Sequence, residues 1–108
     1  MPRGDPDMPA FAYRILPPRG AFVATITEAE RGTMGAHFAY LQDLERAGRI
    51  VFVGRCLNGD YGIAVIEAGD EDEARGIAEA DPAVASGLMD VEVRAFQVVM
   101  ERGTGAPA

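Results

Sequence analysis

Long hydrophobic runs, basic clusters and paired cysteines are all missing from this chain, and each absence removes a class of function. No stretch approaches the roughly 20 apolar residues that a membrane-spanning helix requires, and residues 1–9 lack the apolar core of a secretory leader. Membrane spanning and export are therefore not expected. Seventeen acidic residues against ten basic ones leave a formal charge of −7. That charge repels polyanions, and without a basic stripe to meet phosphates no nucleic-acid partner is expected. The single cysteine, Cys56, cannot close an intrachain disulfide, so the fold must stand without a staple and a reducing cytoplasm is the expected compartment. A Gly-rich phosphate loop, a Walker motif, a CxxC pair and a nucleophile elbow are also absent, and one histidine among scattered acids offers no metal-ligand spacing. No cofactor and no metal are expected.

What is present suits one small globular domain. The chain has 108 residues, 48% apolar and 25% charged, the proportions of an ordinary folded protein and too apolar for wholesale disorder. At this size folding buries roughly 65% of the unfolded surface, enough for one core. Residues 1–10 and 102–108, rich in proline, glycine and alanine, read as flexible tails around a folded domain at 11–101.

Within that domain the hydrophobic period changes five times. Phe11, Tyr13 and Ile15 alternate with Ala12 and Arg14, which predicts a strand that Pro17 and Pro18 stop. Residues 19–26 show no period. Thr27 and Glu30 have capping-box spacing, and Met34, Phe38, Leu41 and Leu44 then recur as one helical stripe ending at Gly48. Ile50–Val53, continuing to Leu57, reads as a strand, and Asn58-Gly59 as a tight hairpin turn returning along Tyr61–Ala68. Asp70 caps a second helix whose narrow face is Ala74, Ile77 and Ala78. A last strand is predicted over Val91–Met100, with a bulge near Ala95 or burial of both faces because Val91 and Val93 differ in parity from Phe96, Val98 and Met100. The order β-α-β-β-α-β predicts an α+β, ferredoxin-like fold, a four-stranded antiparallel sheet with two helices on one face. The strands at 50–53 and 63–66 read as central and both their faces are apolar, so the uncovered face is expected to pair with a second copy, sheet to sheet, in a homodimer.

Chemistry has few places to sit. His37, the only histidine, lies on the flank of the first helix's stripe, where an imidazole can serve as acid or base near neutral pH or simply bond to a nearby carbonyl or carboxylate. Asp81 falls where the second helix's stripe calls for an apolar group; Asp-Pro is also an ordinary helix start, and the two roles are compatible because one oxygen can cap while the other meets a partner. A carboxylate on His37 would fix its tautomer. Arg55 is a candidate for binding an anionic substrate or else a solvent-facing strand residue, and Tyr40 is a candidate proton donor or a residue at the core's edge. Cys56 reads as a small strand residue rather than a nucleophile.

These residues also carry a family likeness. His37-Phe38-Ala39-Tyr40-Leu41 ahead of Gly48, Gly54 closing a strand, Tyr61-Gly62 opening the next, then Asp72-Glu73-Ala74-Arg75, Asp81-Pro82, Gly87 and Val93–Phe96 resemble the YCII-related family, from Phe11 to Val99. Arg55 stands where proline is common in such sequences, and the connection over 17–26 is longer than in compact members. The resemblance implies a dimeric ferredoxin-like fold of the paired-sheet, α/β-barrel type. It also implies a His/Asp active site carried by His37 and Asp81, with activity linked to lyase-like steps on substituted aromatics. The expected function is a small metal-independent lyase or isomerase acting on a small organic substrate. The alternative is a non-catalytic binding or accessory dimer module.

Overall fold

The computed structural model describes residues 8–102, so most of the two expected tails lies outside the described residues. Four strands and four helices run in the order β1 (Ala10–Leu16), α1 (Phe22–Thr25), α2 (Glu28–Arg46), β2 (Ile50–Arg55), β3 (Gly62–Glu67), α3 (Glu71–Ala80), α4 (Pro82–Ala85) and β4 (Asp90–Phe96). The sheet is antiparallel throughout in the order β2-β3-β1-β4, which is the ferredoxin-like arrangement.

Local chemistry explains the helix boundaries. Thr27 accepts the Glu30 amide and the Glu30 carboxylate accepts the Thr27 amide, so the capping box closes in both directions at the start of α2. Asp70 accepts the Glu73 amide at the start of α3, beneath three acids that suit the positive end of the helix. Asp81 ends α3 and caps α4 through the Ala83 amide, with Pro82 at the first helical position.

Five expectations need correction. The aperiodic connection contains the one-turn helix α1, held by Arg19, whose guanidinium donates to Thr25 and to Glu30 across the loop. The 56–61 connection is wider than a two-residue turn: Gly59, at φ 83°, donates to Cys56 O while the Asn58 side chain takes the Asp60 amide. β4 stops at Phe96 in unbroken register with β1, so parity beyond it has no meaning for the sheet; the irregularity lies between Ile50 and Phe52 on β2. Finally, β2 is an edge strand rather than a central one, and Phe38, placed on the buried stripe, is 61% exposed.

The register assigns the two faces. Phe11, Tyr13 and Ile15 share a face with Ala64, Ile66 and Val93 and pack against Leu41, Ala74, Ala78 and Ala83 from the helices. Fully burying a large apolar side chain of this kind is worth about 1.5–3 kcal/mol. The alanines of α3 let its backbone sit close to the sheet. The opposite face carries Ala12, Val65 and Phe52, flanked by the Arg14–Glu92 ion pair and by Phe96. No described helix is long and apolar enough to cross a membrane.

Candidate functional site

Two residues separated by 44 positions meet beneath α2. His37 Nδ1 lies 2.8 Å from Asp81 Oδ1 and 2.7 Å from Oδ2. Asp81 is fully buried, and burying a carboxylate is costly unless its oxygens are matched by donors. The structure supplies three: the Ala83 amide to Oδ1 at 2.9 Å, the Tyr13 hydroxyl to Oδ2 at 2.8 Å, and His37. With the other two groups donating, the carboxylate is acceptor only, so His37 Nδ1 carries the hydrogen and donates as well. A neutral ring then presents Nε2 as a bare acceptor. The His37 side chain keeps 14% of its surface exposed, against none for Asp81.

That residual surface opens into a cavity of about 330 Å³ between α1, α2 and the β2–β3 end of the sheet. Tyr13 and Ile15 line its floor, Phe22 and Val23 one side, and Met34, His37, Phe38 and Leu41 the α2 wall, with Val53, Arg55, Cys56 and Tyr61 opposite. Phe38, Val23 and Val53 are each about half exposed and form an apolar rim. The Phe38 departure from the core is thus explained: its ring belongs to the cavity mouth.

The remaining sequence candidates divide. Arg55 lines the cavity. Tyr40 does not: its hydroxyl donates to Ile77 O at 2.7 Å, satisfying one of the carbonyls left unpaired in the last turn of α3. Burial, and then the charge of Asp81, raise its phenol above the ordinary value. Cys56 lies just past the end of β2 in the hairpin connection and lines the cavity rather than the strand interior. Among the described residues no three of His, Cys, Asp and Glu converge to hold a metal ion.

Tyr13 escaped the sequence reading, which treated it as a strand residue. Its ring is 1% exposed, and its phenol is pushed far above the ordinary tyrosine value, by burial first and by the adjacent Asp81 charge second. A signal for it exists: a tyrosine between Phe11 and Ile15 on a buried strand face must find an acceptor inside the core, and Asp81 is the polar group on the facing helical layer.

Comparison with known proteins gives the family and the fold. A family model for the YCII-related domain matches residues 11–97. The chain belongs to the YCII-related family. No curated protein matches the sequence significantly. Among solved structures, this YCII-related chain is similar to 5-chloro-2-hydroxyhydroquinone dehydrochlorinase (TftG) from Burkholderia phenoliruptrix AC1100, determined in complex with 2,5-dihydroxybenzoquinone. The TM-score is 0.61 at 21% identity, over 81% of this chain and 93% of that one. At that identity the likeness establishes a shared fold.

Proposed function

We propose that this YCII-related protein is a small-molecule lyase or isomerase of the cytoplasm in which His37, oriented by Asp81, moves a proton to or from a substrate held in the cavity. The observation that carries the reading is the asymmetry of the imidazole: Nδ1 is locked on a fully buried carboxylate while the ring's remaining edge meets an apolar cavity. Nε2 takes a proton from a substrate carbon or hydroxyl, and Asp81 stabilises the imidazolium that forms. The electron pair left behind either accepts that proton at a neighbouring carbon, which is an isomerisation, or expels a leaving group, which is an elimination. The similar dehydrochlorinase falls by its name in the second class. A positioned base of this kind contributes typically about 10²- to 10⁴-fold, and the cavity adds orientation. The active species is a homodimer joined through the open sheet face, where Phe52 and Phe96, 45% and 37% exposed, flank the small apolar residues Ala12 and Val65.

A thermal-shift screen of small organic acids, phenols and lactones identifies compounds that stabilise the native state, and each one is then assayed for turnover. His37→Ala is expected to remain folded and to lose turnover. Turnover retained in that variant rules out the imidazole as the base.

A further inference from the structure

The charge of the cavity wall runs against the charge of the chain. Although acids outnumber bases seventeen to ten, among the described residues no aspartate or glutamate lines the cavity, and its charged or protonatable nitrogen groups are His37 and Arg55. Five arginines, Arg14, Arg19, Arg46, Arg49 and Arg75, are committed to carboxylates. Arg55 makes no ion pair or side-chain hydrogen bond among the described residues. Its position explains why. It is the last residue of β2, it pairs with Gly62 on β3, and it shares with Val53 the helix-covered face. Arg55 is exposed, and Gly62 has no side chain to shield or neutralise a guanidinium, so its five donors stay open to solvent and to a ligand at the mouth of the cavity it lines. The one carboxylate that touches His37, Asp81, is sealed behind the wall with its oxygens already matched by three donors.

Size sets the other limit. An apolar cavity of about 150 Å³ holds a benzene molecule, and pockets for ordinary ligands begin near 300 Å³. The observed 330 Å³ is matched to one ring with one or two substituents and leaves no room to enclose a nucleotide.

We infer that the cavity selects a small organic carboxylate with a single-ring apolar body, the body packed between Phe38 and Val53 and the carboxylate on the Arg55 guanidinium. This rests on the reading of the cavity as a substrate site and adds its charge selectivity. A planar guanidinium accepts a carboxylate in two parallel hydrogen bonds, and the same group would hold negative charge that develops when a proton beside the carboxylate is removed.

The test uses benzoate and its neutral isostere benzamide, titrated against the full-length wild type and Arg55→Gln while following the Hε1 NMR signal of His37, the chain's sole imidazole. Benzoate is expected to bind about tenfold more tightly than benzamide, a difference of 1.4 kcal/mol, and Arg55→Gln is expected to abolish that preference while leaving benzamide unchanged. Arg55→Lys should restore part of it. Equal affinities, or a preference that survives Arg55→Gln, overturn the charge assignment while the substrate cavity stands, because both ligands still move the His37 signal. If neither ligand moves that signal at high millimolar concentration, both the charge assignment and the substrate cavity fall.

Discussion

Replacing Tyr13 with Phe removes one oxygen and nothing else from the centre of the molecule. The ring keeps its place on the sheet face between Phe11 and Ile15, while Asp81 Oδ2 loses the donor now 2.8 Å away. Water cannot substitute without rearrangement, since Asp81 is fully buried and Tyr13 is 1% exposed. A hydrogen bond to a charged group contributes about 1.5–3 kcal/mol net. For a domain of this size each kcal/mol moves Tm by about 4–8 °C, so the variant should melt at least about 6 °C lower. Urea denaturation should show the midpoint reduced with an unchanged slope. Because the folded-state phenol is raised above the ordinary value of 10.0, the native state resists ionisation that the unfolded chain undergoes. Its contribution is complete below that value and is lost as pH climbs beyond it, so wild type should lose more stability than Tyr13→Phe in alkali. A variant within about 0.5 kcal/mol of wild type, with the same alkaline profile, would refute a buried Tyr13–Asp81 hydrogen bond.

Three other outcomes follow from named contacts. Gly59→Ala places a Cβ at a residue with φ +83° and 3.0 Å from Val23 Cγ2, so it should cost about 1–2 kcal/mol by denaturation and disturb the cavity rim. The Arg19 guanidinium, and after it the Thr27 amide, hold the Glu30 carboxyl down at about 2 against an ordinary 4.5; a lowered folded-state value stabilises above the unfolded one and is lost as pH falls. Acid titration by circular dichroism should therefore show wild type losing stability between those two values more steeply than Glu30→Gln. If the proposed sheet-to-sheet dimer forms, light scattering should report a dimer for wild type and a monomer for Phe52→Asp, which places a charge on the open sheet face; a wild-type monomer refutes the dimer, and a dimer unchanged by Phe52→Asp locates the interface elsewhere.

Periodicity and capping made most of the fold legible. The capping box of α2, the Asp70 cap of α3 and the Asp-Pro start of α4 are local interactions that depend on residues within three or four positions, and the structure shows each of them. What local patterns could not reveal depends on tertiary competition. Phe38 obeys the helical stripe yet lies at the cavity mouth, because the layer beneath it leaves space instead of a wall. Tyr40 looked available to a ligand from its helical spacing relative to His37, but the last turn of α3 comes close enough to take its hydroxyl. The acid on an apolar stripe marks Asp81 as a group in need of a partner, and it is the family resemblance that implies His37 as that partner. That the Tyr13 hydroxyl needs a buried acceptor is legible from its strand face, but that the acceptor is Asp81 depends on β1 being central in the sheet with the α3–α4 junction packed over it.

Asp81 ties the candidate site to the fold. Its backbone ends α3, its Oδ1 starts α4, its Oδ2 receives a hydroxyl from the central strand, and both oxygens orient His37. Orientation of the imidazole therefore requires little ordering beyond what folding already supplies, and under the proposed proton-transfer role that is the condition in which a positioned group accelerates a reaction most. The same economy makes loss of activity at Asp81 ambiguous, because removing the carboxylate uncaps α4 and strands the Tyr13 hydroxyl as well as freeing the imidazole. His37 is the cleaner position to perturb. It contributes one of the three donors, so its removal costs about 1–3 kcal/mol, a loss a folded domain can survive, while every proton-transfer step assigned to the cavity would go with it.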